Sequence, residues 1–504
     1  MKLKSFILLA YCTSILCSRI SAQEFGGYRT GNYTGANGVF FNPANIADSR
    51  YRWDLNLFSF SSWVGNNKLS LGLQDLSDNL NGDSIRNLVF NDEKGPASGM
   101  ASINVLGPTL MFNLNSRSAL ALSSRSRIMI NSIDIDGKFA NQFIDDQGND
   151  GSLPYTLMSN EDMRLNVNAW TEFGLTYARV IKDQGRHFLK AGLTLKYLVG
   201  ALNAFAHLDQ FHSTIDYDDA ANDTYLTNSS GRVGLGFGGV PLDNFEASDL
   251  LSFKSHGLGA DLGLIYEFRK DTLSNRLSED GEWRRDENKY KWRIGLALHD
   301  IGSIAYQRDT KRSGDYTVNI PANEKFYLNA ITNASIDDVN DSLKNYPQYF
   351  AMNPALSGSS YRVATPATLQ VDIDYHIHQG FYVNLGGSMA LTKANSKAWN
   401  SRYYSYISVT PRYEGRAFGV YLPLSCNALT QTNMGLSLRI GNLILGSGSI
   451  ISVATGQAKQ LDLFVAAHFG GLQKNEEKRY QKKLKRKARA EEKEEEKLQK
   501  KQSD

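Results

Sequence analysis

His376 and His378 flank Ile377 beside the turn His378-Gln379-Gly380. Two imidazoles two residues apart on a strand share a face and could bind a metal. No third ligand is spaced with them, so the reading assigns no metal site and no cofactor. No Ser and His stand together with a supporting carboxylate, as nucleophilic catalysis requires, and the chain reads as a non-enzyme with no catalytic residues. The run Gly234-Leu235-Gly236-Phe237-Gly238-Gly239 lacks the following helix and Lys of a phosphate loop and reads as a flexible loop crest. Asp216, Asp218 and Asp219, like Asp337-Asp338, could hold calcium weakly but read as solvated loops.

Another set of charges is more informative. Glu172, Lys190, Lys196, Asp261, Glu267, Arg293, Asp372, Asp374, Arg412 and Arg439 each interrupt an apolar run at alternate positions. Phe173, Leu175 and Tyr177 share one face of a strand, and Glu172, Gly174 and Thr176 the other. Leu189, Leu193, Leu195 and Tyr197 oppose Lys190, Gly192, Thr194 and Lys196. The same holds where Leu258, Leu262 and Leu264 oppose Gly259, Asp261 and Gly263, where Trp292, Ile294 and Leu296 oppose Arg293 and Gly295, and where Leu369, Val371 and Ile373 oppose Gln370 and Asp372. A soluble sandwich would show polar residues on its outer face. Here the larger face is greasy, and small or charged residues occupy the other.

About fourteen such segments follow one another, so the predicted fold is all-β, an antiparallel transmembrane barrel. The first runs about 53–64 and the last about 459–469, ending on Phe469. The clearest hairpin joins 169–180 to 188–205 through Lys182-Asp183-Gln184-Gly185-Arg186. Short turns recur at 115–118, 378–380, 414–415 and 441–442, and long polar segments at about 65–98, 132–166, 207–255 and 306–365. With short turns in the periplasm and long segments outside, an even strand count returns the chain to its starting side. The connection 269–289 is longer than this pattern and reads as an ordered flap. Trp53, Trp170, Trp292, Tyr197, Tyr266, Tyr375, Tyr403, Tyr404 and Tyr413 fall near strand ends and fit aromatic girdles.

Composition agrees. Mean hydropathy is −0.37, which argues against a helical membrane protein but not a barrel, where every second residue meets lipid. Residues 1–22 read as a signal peptide, with Lys2 and Lys4 before an apolar stretch and Ser21-Ala22 at the cleavage site. Cleavage removes Cys12 and Cys17 and leaves Cys426 alone, so no internal disulfide can form. Residues 23–50 read as a hatch or plug, 51–470 as the outer-membrane barrel and 471–504 as a basic periplasmic tail. From Gln473 onward thirteen Lys and Arg face eight acids, about +5 within a chain of net +3. A charged single helix steadied by i,i+4 pairs and a solvated disordered tail are both open readings. Nucleic acid is not an expected partner; a periplasmic protein or anionic cell-wall polymer would suit residues 473–504.

The stretch Gly31-Asn32-Tyr33-Thr34-Gly35-Ala36-Asn37-Gly38-Val39-Phe40-Phe41-Asn42-Pro43-Ala44 resembles the N-terminal segment of the long-chain fatty-acid transporter superfamily (FadL) and its PorV-like relatives. The resemblance implies fourteen strands and a hatch, here Asn42, Pro43 and Ala44, folded into the lumen. Gly259-Ala260-Asp261-Leu262-Gly263, His299-Asp300-Ile301-Gly302 and Thr410-Pro411-Arg412-Tyr413-Glu414 resemble an uncharacterised family of Bacteroidota outer-membrane β-barrels. That second likeness implies no activity. The first resemblance, with its hatch, taken with the strand pattern points to gated passage of a small, hydrophobic molecule through a porin-like channel. The alternative is a non-transporting structural or secretion-accessory barrel that recruits partners through loops and tail. Departures from the transporters, the long exterior loops and the basic extension, count against simple fatty-acid uptake.

Overall fold

A strand that spans lipid needs only about 9–11 residues, and its backbone groups must all find partners in neighbouring strands. The computed structural model meets both demands with a closed antiparallel barrel of fourteen strands. It describes residues 26–473 except 71, 73–94, 145–152, 160–161, 242–244, 271–283, 335–337, 354–359 and 393–396, together with a few positions between 480 and 489. The expected signal peptide, most of the expected flap and most of the tail therefore lie outside the described residues. The described tail positions between 480 and 489 are helical.

In chain order the wall strands are Tyr51–Asn66, then Ala97–Leu106 continued by Thr109–Asn113, then Ser118–Ile135, Met163–Gln184, His187–Asp218, Ser255–Arg269 and Tyr290–Gln307. The eighth is Ser360–Ala364 with Thr368–His378, followed by Phe381–Ala390 and Tyr406–Glu414. Phe418–Tyr421 with Leu424–Asn427, Gln431–Met434 with Leu436–Ile440, Leu443–Ser447 and Gln460–Leu472 complete the circle. The seam closes where the first strand pairs with the last, from Tyr51 opposite Leu472 to Gly65 opposite Gln460. The thirteenth strand is shorter than its apolar run predicts, because Ile450–Ala454 turns helical at the exterior rim.

The faces are inverted relative to a soluble protein. Leu175 is 51% exposed and Leu195 58%, while Thr176 on the opposite face is 0% exposed. Exposed Leu, Ile, Phe and Trp cover the outside, and buried Asn, Ser, Thr, Asp, Glu, Lys and Arg crowd the inside. Only lipid makes that arrangement favourable, so this is an outer-membrane barrel. Among the described residues no helix is long and apolar enough to cross a membrane. Near the periplasmic ends Trp292 lies 4.4 Å from Tyr375, and Phe381 lies 5.1 Å from Tyr413, ring to ring. Trp170, Tyr403 and Tyr404 depart from the girdle reading. Trp170 shares the inward face with Glu172, Gly174 and Thr176, and its indole donates to Glu172 at 2.9 Å. The two tyrosines precede the tenth strand and pack against a buried lumen cluster.

The exterior segments are not simply polar loops. The fifth strand is 32 residues long, far beyond what a bilayer needs, and its outer half carries a sheet. Tyr155–Met158 pairs on one side of it and Asp223–Gly239 on the other, followed by Gly314–Ile320 and Phe350–Met352. Gly234 to Gly239 is therefore paired strand, not a loop crest. Phe139, Phe211, Ile215, Tyr316, Val318, Phe326 and Phe350 form a separate core there, closing a folded exterior cap. Sequence alternation hid this cap because its apolar residues are contributed by three connections far apart in the chain.

Candidate functional site

The lumen is occupied from below by residues 26–47, almost all buried. Three short 3-10 turns, Tyr28–Thr30, Gly35–Phe40 and Pro43–Ile46, keep this segment compact. The last begins as its residues dictate: the Asn42 side chain accepts from Ala44 N at 2.9 Å, and Pro43 supplies a preset φ at the first position. Asn42 Nδ2 also donates to the main-chain carbonyls of Leu264 (3.3 Å) and Leu296 (3.1 Å) on the sixth and seventh strands. Gly192 and Gly263 face each other across the ladder and let the turn sit against bare backbone. A Cβ at Gly192 would come within 2.4 Å of the Pro43 carbonyl carbon.

Contacts reach most of the way round the wall. Arg29 pairs with Asp372 at 2.8 Å, and Asn32 Nδ2 donates to Glu414 at 2.7 Å. Ala36 N donates to Asp54 at 2.6 Å, and the same carboxylate bonds His468 on the closing strand. Arg293 donates to Thr30 O at 3.2 Å and also to Asn45 Oδ1. His299 and Gln370 meet Phe41 O at 3.0 and 3.1 Å. At the periplasmic edge Asp48 lies 2.6 Å from Lys289 and 2.7 Å from Arg269, while Lys190 donates to Ala47 O at 2.8 Å. Burial would raise the Asp48 pKa, but Lys289 and Arg269 outweigh it and hold the carboxyl below the ordinary range.

The remaining wall charges fall into groups. Glu172, Lys196 and Asp261 meet at mid-lumen together with Arg125, Arg127 and Asp300: Lys196 Nζ lies 3.1, 2.8 and 2.6 Å from Glu172, Asp261 and Asp300. Both arginines bridge Glu172 and Asp300. Three cations and three anions thus cancel in a buried cluster. Glu267 joins Arg269 and Lys190; Asp374 pairs with Arg412 at 2.5 Å; Arg439 donates to main-chain carbonyls including Arg416 O at 3.1 Å. Asp300 escaped the sequence reading because strict alternation from His299 sends it outward. A bulge between Leu298 and Ile301, with Asp300 at φ 57°, turns it in. Arg125 and Arg127 were legible as the polar alternates of Leu122, Ile128 and Ile130.

A second element enters from outside. The connection before the tenth strand folds into the lumen, where Asn168 and Asn203 both donate to Trp399 O at 3.1 Å. Asn131 exchanges two bonds with the Arg402 main chain, and Asn166 donates to Ala398 O at 3.2 Å. Tyr403 OH accepts from Arg127. Between the two elements lies a cavity of 90 Å³ lined by Arg29, Phe40 and Phe41 from below and by Tyr403, Tyr404 and Tyr406 on the other side. Sequence alone gave no sign of this inward fold, whose partners are remote asparagines. His376, by contrast, bonds Gln379 O at its own turn, and no group of three metal-ligating side chains exists among the described residues.

A family model matches residues 43–448, from the Asn-Pro-Ala turn to the start of the exterior helix after the thirteenth strand. The chain belongs to the family of unknown function DUF5723. No curated protein matches it. Among solved structures it is similar to the toluene transporter TbuX of Ralstonia pickettii, at 10% identity, covering 90% of this chain and 97% of that one, with a TM-score of 0.38. A Pseudomonas aeruginosa FadL homologue gives 10% identity, 90% and 99% coverage and a TM-score of 0.41. The Pseudomonas putida toluene transporter TodX gives 9%, 90% and 96%, and 0.32. Likenesses this remote say nothing about cargo.

Proposed function

We propose that this barrel passes a small, largely hydrophobic molecule across the outer membrane and that residues 26–47 act as its hatch. The observation that carries this reading is the N-terminal segment itself. It fills the lumen through reversible hydrogen bonds and ion pairs, and no strand of the wall is made from it. A barrel of this strand number encloses more volume than its own wall side chains usually fill, and a separate segment held by polar contacts occupies that room here. The cavity above the segment pairs aromatic faces of Phe40, Phe41 and Tyr403 with polar groups whose charges cancel, which suits a passenger with an apolar body. Removal of residues 26–45 is expected to raise the rate of solute entry into liposomes carrying the refolded barrel. Entry at the wild-type rate would remove the hatch.

The second reading, a scaffold that recruits partners, draws on the exterior cap and its separate core. A stable complex in gentle extracts, lost when residues 473–504 are deleted, would favour it over transport.

A further inference from the structure

The lipid-facing wall is not uniformly filled. A groove of 610 Å³ opens on the outside between the third, fourth and fifth strands. Its rims are Leu122, Phe173, Leu195, Tyr197 and Leu258, all more than a third exposed and continuous with the band that meets the membrane. The hollow exists because the second strand breaks at Gly107-Pro108 and because Ser124 and Ser126 stand on the outer face where Leu122 carries a larger group.

Two further observations define what could fill it. The outward hydroxyls beside the groove are already spent: Ser124 donates to Pro108 O at 3.4 Å, and Ser126 shares a 2.8 Å bond with Thr171. An occupant is therefore offered mainly apolar contact surface, with the Tyr197 hydroxyl at the rim, and hydrocarbon meets that demand. The exterior connection before the sixth strand also comes down over this face. Phe245 and Leu250 pack on Ala169, Ala201 and Leu202, and the Phe253 ring stacks on Phe173 with centroids 6.2 Å apart. Phe253 sits at φ 51°, a left-handed conformation that a bulky residue adopts only under constraint from its surroundings. This foot leaves Leu251 and Phe253 facing outward at the exterior end of the groove.

We propose that the groove is a binding site for one acyl chain of an outer-leaflet lipid, clasped at its upper end by the foot. The occupant is hydrocarbon because the groove is continuous with the lipid-facing band, is lined chiefly by apolar side chains and has its outward serine hydroxyls already bonded. It belongs to the outer leaflet because the foot comes from the exterior side. The site is independent of the hatch and of any passenger.

The test uses the full chain in nanodiscs of phosphatidylethanolamine whose acyl chains carry bromine. A density map is expected to show a continuous rod with bromine peaks between Phe173 and Leu258, stronger than anywhere else on the belt. Ser124→Phe, which fills the hollow from outside, is expected to lower those peaks at least tenfold, whereas Leu264→Phe on the same band leaves them intact. Peaks no stronger in the groove than around the belt would overturn the proposal, as would peaks undiminished by Ser124→Phe. If Ser124→Phe does not fold, the wild-type map alone decides.

Discussion

Gly263 lies directly beneath Asn42: a Cβ placed on it would stand 2.1 Å from Asn42 Oδ1 and 2.9 Å from Pro43 Cδ. The wall and the turn therefore fit only because that position has no side chain. Gly263→Ala is expected to push the Asn42 amide off the Leu264 and Leu296 carbonyls while leaving the ladder intact. Single-channel recordings should then show openings that are rare in the wild type, and heat-modifiable migration on gels should confirm a folded barrel. An unchanged trace would mean the turn is not part of the gate.

Asp300 bears on stability. It pairs with Arg125, Arg127 and Lys196 in a buried cluster, so removing its charge leaves three cations facing only Glu172 and Asp261, one positive charge uncompensated. Asp300→Ala is expected to cost about 3–5 kcal/mol in urea unfolding from vesicles. Converting the cluster more fully, by adding Lys196→Met, should return part of that loss. A cost near zero for the single variant would show that the lumen is well solvated.

The sign of the pH dependence follows from Asp48. Its folded pKa is depressed below the ordinary carboxylate value of about 3.9. Stabilisation by a depressed carboxylate is present above the unfolded pKa and lost as pH falls through the folded one. Protection of residues 26–47 in hydrogen-exchange mass spectrometry should thus hold steady from about pH 8 to pH 5 and fail only in strong acid. Asp48→Asn should weaken it across that whole range, on the order of 3 kcal/mol. Loss of protection already near pH 6 would point to a histidine instead.

The strand architecture was legible because lipid imposes a period of two that no local propensity overrides. Leu193 and Lys190 betray opposite faces without any knowledge of their neighbours. The ten wall charges could be listed for the same reason, but not their partners, since Lys196 meets Asp300 across 104 positions. A bulge defeats alternation at Asp300, which is why it was missed. Trp170 was misplaced because its strand begins at Met163, which puts the indole well inside the wall and not at a strand end. The exterior cap and the inward fold around Trp399 depend on contacts between distant connections, and no short window of sequence contains them.

The outer face offers its own check. Leu175→Arg puts a charge on the lipid-facing band and is expected to cost about 2–4 kcal/mol, falling toward zero for positions nearer the rim. Equal costs along the strand would argue against burial in hydrocarbon.

The inward connection before the tenth strand should restrict the exterior side. Asn168→Ala with Asn203→Ala removes both bonds to Trp399 O and is expected to raise conductance further when combined with Gly263→Ala than alone. Additivity no greater than either change would mean that only the lower element restricts flow.

The most direct measurement locks the hatch. With Cys426→Ser, cysteines at Asp48 and Lys289 can be joined by a short thiol cross-linker, pinning the segment to the periplasmic edge. Solute entry into liposomes should stop on cross-linking and return when a cleavable linker is cut. Entry at the same rate in the locked and released barrels would contradict a moving N-terminal gate.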